Sequence, residues 1–187
     1  GHCKIYMEPL EPGSGYVFED KTVGGSIPKE YIPAIDAGIR EAKMSGILGG
    51  YECVDFKVTV YDGSYHDVDS NEVSFKMAAS IAFKKGIAEA NPVLLEPIMR
   101  VEVSIPDEYM GDVMGDMNKR RGRILGMDQQ PGGGQLIMAE APQAEMFEYA
   151  IDLRAMTQGR GAFTMEFERY EEVPAQIAEE IIESRKE

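Results

Sequence analysis

Tryptophan is absent, and histidine and cysteine occur only twice each in 187 residues. Two thiols, Cys3 and Cys53, are too few for a disulfide scaffold at this length, so the expectation is two reduced, buried cysteines at strand positions. With His2 and His66 as the only imidazoles, a structural zinc site has almost no ligand set. No apolar run approaches the ~18 residues that a membrane span needs. The first ten residues mix Lys4 and Glu8 with apolar side chains, unlike a signal peptide. A cytoplasmic chain with no membrane attachment is expected.

Bulk positive charge is also missing. The formal net charge is −14, and both halves are acidic, so neither has the signature of a free nucleic-acid binder. A net negative surface is repelled by phosphate, and any RNA contact must be local or arranged by something larger. No G-x-x-x-x-G-K-[ST] phosphate loop is present. Asn118-Lys119-Arg120-Arg121 superficially resembles a guanine-specificity motif but lacks its aspartate. No nucleophile–base pair stands out, and Glu171-Glu172 reads as solvated surface. No catalytic residue, cofactor or metal is therefore expected in this chain.

The hydrophobic and charged fractions, 43% and 28%, exclude disordered and collagen-like classes. The length allows one large domain or two small ones. In the first half, 4–6 and 16–18 read as short strands and 31–45 as a helix with Ile35, Ile39 and Ala42 on one face. Val54, Phe56, Val58 and Val60 alternate as a half-buried strand. Turn residues follow at 62–67. Asp69 stands three residues before Glu72, the spacing of a capping box. A helix then runs to about Ala90 with Val73, Met77, Ile81 and Ala88 at helical spacing, and Asn91-Pro92 stops it.

The second half begins near Leu95. Val101, Val103 and Ile105 alternate as a strand. Met110, Val113, Met114 and Met117 form an amphipathic stripe that reads as core. Residues 123–128 and 135–141 read as strands joined by the turn Pro131-Gly132-Gly133-Gly134. Pro142 opens a helix with Met146, Ala150 and Leu153 inward, and Phe163, Met165 and Phe167 alternate in a last strand. That order is βαββαβ, the ferredoxin-like pattern. A terminal helix over 174–185 carries Ile177 and Ile181 on one side. The expected fold class is α+β in two abutting domains, 1–94 and 95–187, the terminal helix belonging to the second.

Two local features stand above this background. The loop 63–69 places His66 and Tyr65 at a strand-to-helix junction, with Asp67 and Asp69 able to bond the helix amides. Lys119-Arg120-Arg121-Gly122-Arg123 puts four cations in five residues of an acidic chain. Those cations suit a helix C-terminus and would equally meet phosphate.

The same segments carry a family resemblance. Gly24-Gly25-Ser26-Ile27-Pro28-Lys29-Glu30-Tyr31-Ile32-Pro33-Ala34 is similar to the elongation factor G segment leading into the helix of its fourth domain. Gly63-Ser64-Tyr65-His66-Asp67-Val68-Asp69-Ser70 resembles that domain's tip loop, followed by Phe75-Lys76-Met77-Ala78-Ala79. Leu94-Leu95-Glu96-Pro97-Ile98-Met99 resembles the junction to the fifth domain. Gly111-Asp112-Val113, Arg120-Arg121-Gly122, Glu145-Met146-Phe147 and Thr164-Met165-Glu166-Phe167 resemble fifth-domain motifs. The match runs in order along essentially the whole chain.

The resemblance implies a first domain folded like a small-subunit ribosomal protein, with a left-handed βαβ crossover where pattern reasoning favours the right-handed one. It implies a blade whose tip enters the small-subunit decoding site beside transfer RNA and messenger, and a second domain near the large-subunit factor-binding region. Tip contacts would come from Ser64, Tyr65, His66 and Asp67. Lys119, Arg120, Arg121 and Arg123 would face ribosomal RNA or the factor's own GTPase part. GTP and magnesium would belong to the parent factor, and a monomer is expected. A second tip loop would precede Gly1-His2. Ile105 stands where a capping Thr is usual in the family, and the stretch at Gly13-Ser14-Gly15 is short. These departures keep open a divergent paralogue acting in ribosome protection, rescue or recycling. An independent ligand-binding ferredoxin-like module is the remaining alternative.

Overall fold

A computed structural model describes residues 1–186. They form two compact units. One comprises Gly1–Leu94 together with the terminal stretch from Pro174, and the other is Leu95–Val173. The boundary at 94/95 lies where the alternating pattern of the second half begins. By contact, the terminal helix groups with the first unit.

In the first unit, β1 (His2–Pro9) and β2 (Tyr16–Asp20) flank β3 (Phe56–Ser64). β1 runs antiparallel to β3 and β2 runs parallel to it. Parallel neighbours need a crossover, which α1 (Ile32–Ser45) supplies. Pro33 lies in the first turn of α1, where the lost N–H has no intrahelical partner anyway. The strands are longer than their apolar cores suggested, and β3 continues through the expected turn residues to Ser64.

Helix α2 (Glu72–Glu89) corrects the sequence reading in two ways. Its cap is Asn71, whose side chain accepts from the Ser74 N–H at 2.8 Å while Ser74 Oγ accepts from the Asn71 N–H at 2.9 Å. The capping box is therefore Asn71/Ser74, two residues beyond the expected Asp69/Glu72. Its buried face is Phe75, Ala79, Phe83 and Ile87, whereas Val73, Met77 and Ile81 stay exposed. Both rows share a four-residue spacing. The row with two phenylalanines goes inward because aromatic rings carry the larger apolar area and dominate core energetics. These rings join Ile35, Ile39, Val58 and Val60 in one core. Cys3 lies in β1, while Cys53 precedes β3 rather than lying in it. Both thiols are free and half-buried, and burial pushes both up from their ordinary range.

The second unit has the βαββαβ order. The strands β4 (Leu95–Ile105), β5 (Arg123–Gln129), β6 (Gln135–Pro142) and β7 (Ala162–Glu172) form one antiparallel sheet ordered β5-β6-β4-β7. Helices α3 (Met110–Lys119) and α4 (Tyr149–Thr157) connect them. Val101, Val103 and Ile105 pack with Val113, Met117 and Leu153, so the methionine stripe is core as expected. Ala150 is exposed; Tyr149 replaces it in the core because α4 starts later than Pro142 implied. Phe167 remains 54% exposed and Met165 36%, on an edge strand with a register irregularity opposite Ile98/Met99. The β5–β6 turn holds Gly134 at φ +91, where a Cβ would stand 2.7 Å from the Ile105 carbonyl oxygen. Only glycine fits there. The last helix, α5 (Ala175–Ser184), follows Pro174.

Candidate functional site

The loop at 65–70 is built from both of its ends. On the strand side, Gly63 lets β3 press against β1, since a Cβ there would collide with the His2 carbonyl oxygen and with the Ile27 side chain behind it. Ser64 Oγ then pairs with His2 Nδ1 at 3.1 Å. On the helix side, the Asn71/Ser74 box fixes the start of α2. Between them, the His66 N–H donates to Ser70 Oγ at 3.0 Å, and the Ser70 N–H donates to the His66 carbonyl at 2.9 Å. Ser70 is buried, so this reciprocal clasp is shielded from water.

The side chains between the clasp residues face solvent. His66, Asp67 and Asp69 are exposed, and Val68 is 98% exposed. A single apolar side chain left in water between two carboxylates adds no burial to the core. Sequence reasoning passed over Val68, although its place between two aspartates in a turn matched neither helical nor strand periodicity. Among the described residues, Asp67 and Asp69 accept no helix N–H bond, so the expected capping role falls to Asn71.

Tyr65 points the other way. Its ring stacks on Tyr31, with centroids 5.5 Å apart and planes at 27°. Tyr31 in turn stacks on the fully buried Phe75 at 5.1 Å and 23°. The Tyr65 phenol is pushed up to about 12, first by hydrogen bonding with Tyr31 and then by Asp67. It is neutral at physiological pH. A shallow hollow of about 400 Å³, lined by Glu30, Tyr31, Asn71, Glu72 and Val73, lies beside this stack.

The cation cluster of the second unit is organised differently. Helix α3 ends in a Schellman motif: the Gly122 N–H reaches the Met117 carbonyl at 2.9 Å and the Arg121 N–H reaches the Asn118 carbonyl at 3.2 Å. Arg121, rather than glycine, takes the left-handed position at φ +56. That geometry directs its guanidinium onto Glu96, a buried carboxylate, in a two-pronged pair of 2.8 and 3.0 Å, with Glu145 at 3.2 Å. Arg120 bonds Asp116 at 2.9 Å, the Glu145 carbonyl at 2.7 Å and Asp152, and lies over the Tyr149 ring at 4.9 Å.

Arg123 meets Glu140 at 2.8 Å, and Arg169 holds the same carboxylate from its other side at 2.8–2.9 Å. The Arg169 hydrogen bonds, aided by Arg123 against the opposing effect of burial, lower the Glu140 pKa to about 2. Three of the four cations are thus committed to carboxylates of their own unit. Lys119 is exposed and has no ion pair among the described residues.

Among the described residues, no group of three or more His, Cys, Asp or Glu side chains is placed to hold a metal. Among the same residues, no helix is long and apolar enough to cross a membrane.

Comparison with known proteins matches each unit to a family. Residues 1–91 match the family described as elongation factor G, domain IV, and residues 93–181 match elongation factor G C-terminus. A crystal structure of a Thermus thermophilus protein is similar at 48% identity with a TM-score of 0.85. The similarity covers 98% of this chain and 27% of that protein, so the chain spans about a quarter of its relative's length.

Proposed function

This chain belongs to the elongation factor G family, of which it carries domain IV and the C-terminal domain, and from that premise we propose that it is the ribosome-contacting end of a translocation factor. In this reading the 65–70 loop enters the small-subunit decoding site, beside transfer RNA and messenger. The C-terminal domain serves the large-subunit factor-binding region. GTP and magnesium act in the GTPase part of the parent, which supplies the conformational change that drives transfer RNA and messenger forward. The chain itself acts in the cytoplasm as a monomer and performs no catalysis.

The observation that carries the reading is the loop: a tightly bonded backbone presenting His66, Asp67, Val68 and Asp69 to solvent. Such a tip suits RNA recognised by its exposed groups rather than by its phosphates. Carboxylates repel phosphate but accept hydrogen bonds from base amino groups and 2′-hydroxyls. An imidazole adds a donor and an acceptor. This also reconciles a net charge of −14 with a ribosomal partner, since affinity would come from many contacts of the complete factor and the fragment adds a local one.

The test is His66→Ala in the full-length factor. Single-round translocation should slow while multiple-turnover, ribosome-stimulated GTP hydrolysis is spared. Normal translocation would remove the tip from the mechanism. Titration of the present chain with GTP and magnesium should show no saturable heat, and micromolar binding would contradict the division of labour.

A further inference from the structure

We infer that Tyr31 is the positioning residue of the 65–70 loop, transmitting the fixed geometry of the core to His66 so that the tip meets its partner already set. The inference rests on reading this loop as the contact tip.

The clasp between His66 and Ser70 closes the loop but does not orient it. The His66 N–H bond to Ser70 Oγ and the Ser70 N–H bond to the His66 carbonyl tie the two ends of the loop to each other. Orientation needs a third attachment, and Tyr65 provides it. Tyr65 is the residue adjoining His66, and its ring is the outermost of three in a column: Tyr65 on Tyr31, Tyr31 on Phe75. Phe75 is fully buried and sits one turn inside α2, its N–H donating to the Asn71 carbonyl at 3.1 Å.

Tyr31 itself is anchored independently. It is the residue capping α1, its N–H donates to the Pro28 carbonyl at 3.0 Å, and the helix it opens buries Ile35 and Ile39 completely. The middle ring is therefore held by α1, the inner ring by α2, and the outer ring belongs to the loop. Removing Tyr31 breaks both stacks at once and leaves Tyr65 without a neighbour in the column.

A stacked aromatic pair biases a local equilibrium about two- to tenfold. A loop set only part of the time engages its partner in proportion to that fraction. The column therefore controls how often the tip is ready, with no contact of its own to the partner.

The experiment compares Tyr31→Ala, Tyr31→Phe and His66→Ala in the full-length factor. The readouts are amide hydrogen exchange at His66 and Ser70, single-round translocation, and the melting midpoint. Tyr31→Ala should speed exchange of those two amides several-fold and slow translocation by up to roughly tenfold, with ribosome-stimulated GTP hydrolysis unchanged. Tyr31→Phe keeps the ring and should restore both. If Tyr31→Ala does not fold, Tyr31→Leu fills the space without an aromatic face and should behave as described for Ala. Unchanged exchange at His66 and Ser70 overturns the inference, as does a Phe variant as defective as Ala. Normal translocation in Tyr31→Ala with slow translocation in His66→Ala also overturns it while leaving the tip reading intact. Normal translocation in His66→Ala removes the tip reading, and the inference falls with it.

Discussion

The loop at 65–70 and the turn at 119–123 both sit at a helix end, and both stand out from the sequence for their chemistry. They resolve in opposite ways. In the loop, the backbone is satisfied and the side chains of His66, Asp67, Val68 and Asp69 are exposed. In the turn, the side chains are satisfied: Arg120, Arg121 and Arg123 reach carboxylates of their own unit. A run of cations in a sequence reports how much charge is present but not how much of it is available to a partner. Arg121 shows the cost of this commitment. It occupies a left-handed backbone position that disfavours a side chain by ~1–2 kcal/mol, and the pair with Glu96 offsets it.

The largest effect expected from this contrast is in Arg121→Ala. Removing Arg121 strands the buried Glu96 carboxylate; a fully buried pair broken in this way costs ~3–5 kcal/mol, and the partial exposure of Arg121 places this one at the lower end of that range or below it. Arg121→Gly relieves the backbone as well and should fall between Ala and the native protein. Denaturant unfolding of the chain measures both. A loss under about 1 kcal/mol for Arg121→Ala would show that the pair is dispensable and its cation free for a partner.

Acid provides the second test. Glu140 has a folded-state pKa of about 2 against an ordinary 4.5. It therefore contributes stability that is complete above 4.5 and disappears as the pH falls toward 2. Arg169→Ala should flatten this part of the stability–pH curve, measured by thermal unfolding across the acid range. An unchanged curve would mean that Arg169 does not hold the carboxylate.

The loop predicts smaller effects on folding. Asn71→Ala removes a cap and should cost about 1 kcal/mol, visible as a shift in the same denaturant midpoint. If instead Asp69→Ala has that effect and Asn71→Ala none, the helix start is misassigned. His66→Ala should move stability by no more than about ±0.5 kcal/mol. A larger loss would place His66 in a buried network rather than on a free tip.

Much of this arrangement was legible from the residues. Alternation at Val101–Ile105, the Pro-Gly-Gly-Gly turn and the Met110/Val113/Met114/Met117 stripe specify the second unit's order, because a strict period of two or 3.6 allows one assignment. Helix α2 was harder because its two apolar rows share one spacing, and only ring size separates Phe75 and Phe83 from Met77 and Ile81. The loop was recognisable by position, through its turn residues and its place between strand and helix. Its aromatic column was not, since Tyr31 and Tyr65 are far apart in sequence and each reads as an isolated tyrosine. The partners of the cation cluster were hidden for the same reason. Glu96, Glu145 and Asp152 come from distant elements and reach Arg120 and Arg121 only once the sheet and α4 are assembled.

Val68 offers the most direct test of the central claim, that the exposed loop is the part of this chain that enters the decoding site. Its side chain is 98% exposed, so replacing it with a photoreactive amino acid should leave folding intact. The full-length factor carrying that group, bound to ribosomes and irradiated, should crosslink to small-subunit RNA at the decoding site or to the transfer RNA and messenger within it. Crosslinks confined to the large subunit, or none from a factor shown to be ribosome-bound, would contradict the account.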